Sequence, residues 1–167
     1  MNVTEGRPCG ASRAEYSELA MPNDANPLGS LFGGKVMALV DLAASIAAHR
    51  HAKSPVVTAS VDHMSFLYPV RIGELVTCYS QVNRMFRTSM EVGVRVMVEN
   101  MSTGENRHTS SAYLTFVALG VDGKRVELPP VVPETEEERR RYEDALLRRE
   151  ARLQLRARAL ESGKRNA

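Results

Sequence analysis

Between Thr88 and Glu99 the chain alternates: Met90, Val92, Val94, Val96 and Val98 fall at every second position, with Ser89, Glu91, Gly93, Arg95, Met97 and Glu99 between them. A period of two puts the first set on one face of a strand, so this segment is predicted as a half-buried antiparallel strand. The same period, less strictly kept, predicts strands over Val56 to Phe66, Glu74 to Phe86 and His108 to Leu119. Pro69 and Gly73 break the chain after the first of these, and Asn100 to Asn106, with Gly104, supplies a hairpin loop. Ser12 to Ala20 has weaker strand character around Tyr16 and Leu19.

From the glycine pair Gly33-Gly34 to His51 the pattern is helical, about five turns at 3.6 residues per turn. Val36, Met37, Leu39, Val40, Leu42, Ile46 and a set of alanines cover nearly every face, and a helix apolar all round is expected to be buried. His49, Arg50 and His51 sit at its C-terminal end, where positive charge suits the helix dipole. One strand, one buried helix and then four strands joined by short turns predict an α+β fold. Few of these connections are long enough to hold a crossover helix.

The ends read differently. Residues 1–12 carry Gly, Pro and Ser without a period and are expected to form a loose arm before a domain over 13–130. Over 131–167 the composition turns to Glu and Arg, acidic first and basic later, which predicts a charged helix. Tyr142, Leu146, Leu153 and Leu160 leave it a thin apolar stripe, so a solvated helix is expected, with an oligomer contact as the alternative.

Composition narrows the partners. The 167 residues have a formal net charge of +2 from 22 basic and 20 acidic side chains, so no strong field favours nucleic acid. The glutamates among Arg139-Arg140-Arg141 and Arg148-Arg149 argue for a salt-bridged helix rather than a nucleic-acid surface. Cys9 and Cys78 lie far apart with no CxxC spacing, and His49, His51, His63 and His108 show no metal-ligand spacing, so neither a disulfide framework nor a metal is expected. The N-terminus has no signal-peptide core, and Val36 to Ala48 is too short to cross a bilayer. The chain reads as soluble and cytoplasmic, with no membrane partner.

Candidate chemistry centres on Asp41, a carboxylate in mid-helix among Val40, Leu42 and alanines. Burying an unpaired carboxylate is costly, so Asp41 needs hydrogen-bond partners or a function. Upstream, Gly33 and Gly34 let a ligand approach the backbone, and the free N–H groups of the first helical turn suit developing negative charge. The same glycines also serve simply to turn the chain into the helix. Asp41 lies about 10 Å along the axis from Gly34, so one chain does not readily bring both to one carbonyl. Asn26-Pro27 is a common turn pair, and the Asn26 amide is also a candidate to hold water or polarise a carbonyl.

The run Asn26-Pro27-Leu28-Gly29-Ser30-Leu31-Phe32-Gly33-Gly34, followed by Met37 and Asp41-Leu42-Ala43-Ala44, resembles the signature of the cytosolic-type acyl-CoA thioesterases of the hotdog superfamily. Val57-Thr58, Ser60-Val61-Asp62, Phe66, Pro69-Val70, Gly73-Glu74, Arg87-Thr88-Ser89-Met90 and Leu114-Thr115-Phe116-Val117-Ala118 agree in order and spacing. The match spans about Tyr16 to Pro130; His63 and the charged C-terminal segment have no place in the pattern.

The resemblance implies a long helix wrapped by a five-stranded antiparallel sheet, two protomers joining sheets edge to edge, and such dimers assembling as a trimer of dimers. It implies hydrolysis of acyl-CoA to free fatty acid and CoA, without a cofactor, at a site on the dimer seam. Asp41 of one chain would act as general base or nucleophile, opposite Asn26 of the other, with the Gly34 amide stabilising the oxyanion. CoA phosphate contacts fall at Arg87, Thr88 and Ser89, with Arg84 nearby. Gly33 and the strand edge around Thr58 are further candidates to hold the substrate. Two other readings stay open: an acyl-CoA sensor without turnover, and a hotdog dehydratase, although no His precedes the helix as that chemistry would want.

Overall fold

The computed structural model describes residues 5–62 and 64–165, so His63 lies outside the described residues. Five strands build the main sheet: β2 (Ala14–Leu19), β3 (Val56–Val61), β4 (Leu75–Phe86), β5 (Ser89–Glu99) and β6 (Asn106–Ala118). Their order is β2-β4-β5-β6-β3 and every pairing is antiparallel. The helix α1 (Gly33–Ala52) lies inside the curl of this sheet, the hotdog arrangement that the motif order implies. A short parallel pair, β1 (Arg7–Pro8) with β7 (Val131–Val132), and a second helix, α2 (Glu136–Arg165), complete the chain. No helix among the described residues is long and apolar enough to cross a membrane.

Small side chains let the sheet close on α1. Ala43, Ala44, Ala47 and Ala48 are fully buried against Cys78, Val92, Val94, Ala112 and Leu114. The approach is close enough for the Ser80 hydroxyl of β4 to donate to the Ala43 carbonyl at 2.7 Å. A larger side chain at these alanines would have to push the sheet outward, typically at about 1–3 kcal/mol per site. The helix ends where Lys53 adopts a left-handed conformation (φ 52°) and its N–H closes the last turn on His49 O. The His51 ring, buried at that end, bonds Pro129 O at 2.9 Å, and burial, against that bond, lowers its pKa from the usual imidazole value. His51 is therefore a structural residue.

Some expectations need correction. Burial of α1 on all sides is not observed in the single chain: Gly34, Met37, Ala38 and Leu42 are exposed, because the sheet covers only the opposite face. The strand expected to reach Phe66 stops at Val61, and Phe66, Leu67 and Tyr68 lie exposed beyond it. Nor are residues 7–12 a loose arm. Arg7–Pro8 pairs with Val131–Val132, and Cys9 and Ser12 are buried, Ser12 Oγ accepting from Val82 N at 2.9 Å. Pairing across so long a stretch of sequence leaves no local period to read.

The charged helix α2 is docked as far as Arg152 and exposed beyond it, so the expected solvated helix holds only for its later part. It crosses the outer face of the sheet, away from α1, and is fastened mainly by charge. Glu138 is buried; it accepts from Gln81 at 2.7 Å and pairs with Arg13 at 3.0 Å. Burial would raise its pKa, but donors from Glu134, Gln81 and Thr135 and the charge of Arg13 hold it below the usual carboxylate value. Arg84 stacks on Tyr142, its guanidinium 4.0 Å from the ring centroid, and donates to Tyr142 O at 3.0 Å. Arg148 grips Glu91 with two bonds (3.1 and 2.7 Å) while lying over the Tyr113 ring, and Asn83 donates to the same carboxylate at 3.0 Å. Arg152 reaches Asp62, just past the end of β3. These anchors run from the segment before β2 to the opposite edge of the sheet.

Glu91 has no accessible surface at all, so Arg148 balances a charge that the sheet alone would leave stranded. Removing one partner of such a pair costs far more than removing both. Arg148→Ala is expected to lower the free energy of unfolding by about 3–5 kcal/mol, and the double variant Glu91→Leu/Arg148→Leu to lose much less. Urea unfolding followed by circular dichroism measures both.

Candidate active site

Asp41 stands on the face of α1 that the sheet leaves open, in line with Gly34, Met37 and Ala38 one and two turns earlier. It is half-buried rather than enclosed, since that face has no cover within the chain. Thr58 of β3 donates its hydroxyl to Asp41 Oδ1 at 2.7 Å. One carboxylate oxygen is thereby held, and Oδ2 has no protein partner among the described residues. Thr58 was expected to hold substrate; its observed contact is with the carboxylate, across the edge of the sheet.

Thr58 points at α1 by the ordinary pleat of β3, since it pairs with Phe116, whose side chain is buried in the core; the strand becomes irregular only after it. The register with β6 shifts between Thr58 and Ser60, so Ala59 is an extra residue and the strand kinks at that point. Such bulges re-aim side chains and terminate pairing. β3 is an outer strand of the sheet, and Val57, Thr58, Ala59 and Val61 are exposed along it.

At the other end of α1, the loop from Met21 to Phe32 is pinned from several sides. Phe32 N donates to Asp24 O at 2.9 Å, Leu31 N to Val70 O at 2.8 Å, and the Lys35 ammonium pairs with Glu18 at 2.6 Å and Asp24 at 3.5 Å. Asn26 shapes the turn: its Oδ1 accepts from Leu28 N at 2.9 Å and Ser30 N at 3.2 Å, and its N–H donates to Ser30 O at 2.7 Å. This engages the oxygen and leaves the Nδ2 hydrogens without a protein acceptor among the described residues. Both roles considered for Asn26 are therefore compatible, turn-former through Oδ1 and donor through Nδ2.

The helix start is uncapped. Phe32 is extended, makes no side-chain cap bond, and no acidic residue occupies the first turn. The Gly33 and Gly34 amides consequently have no backbone acceptor among the described residues. The Phe32 ring lies so close to Gly34 that a Cβ there would stand 3.1 Å from Cε1, whereas a Cβ on Gly33 would meet the Phe66 ring only at 3.7 Å. A side chain at Gly34 would require the exposed Phe32 ring to give way by a few tenths of an ångström. No hydrogen bond joins Asn26, in the loop before α1, to Asp41 within the chain.

The residues expected to meet CoA make local contacts within this chain. Arg87, at the tip of the β4–β5 turn with φ 27°, is mostly exposed and pairs with Glu127 at 3.4 Å. Thr88 accepts from Ala118 N through its carbonyl, and Ser89 Oγ bonds Phe86 O at 3.4 Å, both ordinary turn contacts. Arg84, expected near the CoA phosphates, stacks on Tyr142 and donates to its carbonyl within this chain. Met37 and Phe66 are exposed near the helix start, whereas Met90 is fully buried in the core.

The thioesterase superfamily profile matches residues 28–105. The uncharacterized acyl-CoA thioester hydrolase YkhA of Bacillus subtilis (strain 168) is 44% identical over 138 residues, which cover 83% of this chain and 80% of that protein. The chain belongs to the acyl-CoA thioester hydrolases of the thioesterase superfamily. A solved apo-hexameric acyl-CoA thioesterase superposes on this hydrolase with a TM-score of 0.88 at 42% identity, over 92% of this chain and 98% of that one. The acyl-CoA hydrolase of Staphylococcus aureus, solved with butyryl-CoA, CoA and CoA disulfide, gives 0.85 at 34% identity over 96% of each chain. That enzyme has also been solved with alanine at an asparagine, at an aspartate and at a threonine, which lie 15 and 17 residues apart. Asn26, Asp41 and Thr58 are separated by the same 15 and 17 residues.

Both thiols of this hydrolase are buried, and burial raises Cys9 to about 11, helped by nearby Glu138, and Cys78 to about 12. At neutral pH neither forms thiolate to any useful extent. Aromatic disulfide reagents are expected to register no thiol on the native protein and two per chain after denaturation, measured by absorbance with and without guanidinium.

Proposed function

We propose that this acyl-CoA thioesterase works at a site shared by two subunits, Asp41 from one facing Asn26 and the first turn of α1 from the other. The observation that carries this reading is the open face of α1. Within one chain it presents a half-buried carboxylate, oriented by Thr58 but without the donors that a carbonyl oxygen would need. The donors lie about two turns away, roughly 10 Å by helix rise, and a second copy brings them within reach.

Asp41 takes a proton from water, and the resulting hydroxide adds to the thioester carbonyl; attack by the carboxylate itself is the other route to the same products. Charge moves to the carbonyl oxygen, where the Gly34 N–H and the helix dipole stabilise it, a contribution of about 3–4 kcal/mol in comparable sites. Asn26 Nδ2 orients the water or the carbonyl. Collapse breaks the C–S bond, the thiolate leaves and takes up a proton, and the products are a free fatty acid and CoA. No metal or cofactor is assigned a part. Arg87, Thr88 and Ser89 are proposed to meet the CoA phosphates from the rim of the site, and Gly33 to let the acyl thioester pass close to the backbone.

Self-association follows from the shared site. The exposed Val57, Val61, Met37, Leu42, Phe66 and Leu67 form an apolar surface along β3 and the open face of α1 that a second subunit would cover. The assembly is proposed to be a trimer of dimers.

Free-thiol release from a panel of acyl-CoAs tests the reading, with wild type and Asp41→Asn in parallel. Asparagine keeps the shape and an oxygen for Thr58, so the fold should persist while kcat falls by about a hundredfold or more; wild-type turnover should survive exhaustive chelation. Near-normal activity of Asp41→Asn would refute the assignment. Mixing Asp41→Ala with Asn26→Ala subunits should restore part of the lost activity through heterodimers with one intact site. Subunit exchange proved by mass, without such recovery, would refute the shared site.

A further inference from the structure

We propose that Arg152 on α2 is a positioning residue for the reaction, acting through the strand that carries Thr58. This rests on the reading of Thr58 and Asp41 given above. Within the chain β3 pairs with β6 alone, and it carries a bulge immediately after Thr58. The side-chain period of a strand is two, so a shift of one residue at this end of β3 would turn the Thr58 hydroxyl away from Asp41. Beyond the bulge, the strand is tied at Asp62. Its N–H donates to Tyr113 O at 2.9 Å, and one guanidinium nitrogen of Arg152 spans both of its carboxylate oxygens, at 2.9 and 2.7 Å.

Arg152 is itself anchored. Four residues earlier, on the same face of α2, Arg148 is fixed to buried Glu91 and lies 3.7 Å from the centroid of Tyr113, the residue that receives the Asp62 N–H. The Glu91–Arg148 pair thus fixes α2 to the middle of the sheet, and Arg152 extends from that fixed point to the edge. The path from α2 to the carboxylate is Arg152, Asp62, the bulged end of β3, Thr58, Asp41. Arg152 touches neither Asp41 nor Thr58, so its contribution is to hold their geometry, where small misplacements have large effects on rate.

The test is a double-variant cycle on the full chain, with acyl-CoA turnover read as kcat and KM separately. Arg152→Ala should lower kcat by about tenfold with KM nearly unchanged, while Arg140→Ala, which removes another α2 arginine, should not. Arg152→Lys keeps one charged donor nitrogen and should retain most of the turnover. In a Thr58→Val background, Arg152→Ala should cause no further loss. Equal losses in both backgrounds would overturn the proposal, as would wild-type kcat for Arg152→Ala. If Arg152→Ala melts early, Arg152→Lys and the swap Asp62→Arg/Arg152→Asp take its place, and failure of both to recover kcat at wild-type melting temperature would also overturn it. Wild-type turnover by Thr58→Val alone would instead overturn the reading of the site on which the proposal rests.

Discussion

The arrangement depends on how closely a sheet can wrap a helix. Four alanines on the inner face of α1 let β4, β5 and β6 approach until a strand hydroxyl bonds the helix backbone. A sheet of five strands curled this tightly has a limited span, and it encloses only one side of the helix. The side left open carries Gly34, Met37, Ala38, Asp41 and Leu42. The position of the candidate site is therefore a by-product of core packing: whatever α1 does chemically, it must do on the face that the sheet cannot reach.

The outer face of the sheet follows different physics. Where α1 is held by apolar contact, α2 is held by a series of ion pairs and guanidinium–aromatic contacts from Arg13 to Asp62. Desolvating such pairs offsets much of their attraction, so they add specificity of placement more than net stability. A helix attached this way has a defined position along and across the sheet, because each guanidinium meets its carboxylate, carbonyl or ring at a fixed place. That definition is what lets a contact on α2 fix the end of an edge strand on the far side of the sheet.

Much of the fold was legible in the sequence because its signals are local. The two-residue period of Met90 to Val98 and the alanine-rich run of α1 are intrinsic to their own segments, and the observed elements agree to within a few residues. Asp41 was conspicuous for the same reason, as a charge out of pattern. What could not be read were partnerships between distant residues. Glu91 looked like any outward-facing strand residue, and its partner Arg148 lies 57 residues on; Asp62 and Arg152 are 90 apart. The burial expected around all of α1 failed because hydrophobicity records where contact is favoured, not whether the same chain supplies it. The contacts of Arg84 with Tyr142 were equally hidden, because sequence alone could not dock α2.

The buried carboxylate of Glu91 also bears on the order of folding. Strands β4, β5 and β6 are joined by hairpins and can pair early, since closing short loops costs little entropy. Yet their completed sheet presents an acid at its centre that dry packing cannot accept without Arg148. The face above Glu91 must stay wet until α2 arrives, and docking of the helix expels that water last. Folding of the outer layer thus waits on a contact of high sequence separation, and a chain stalled before it would carry a formed sheet with one hydrated, unlocked side.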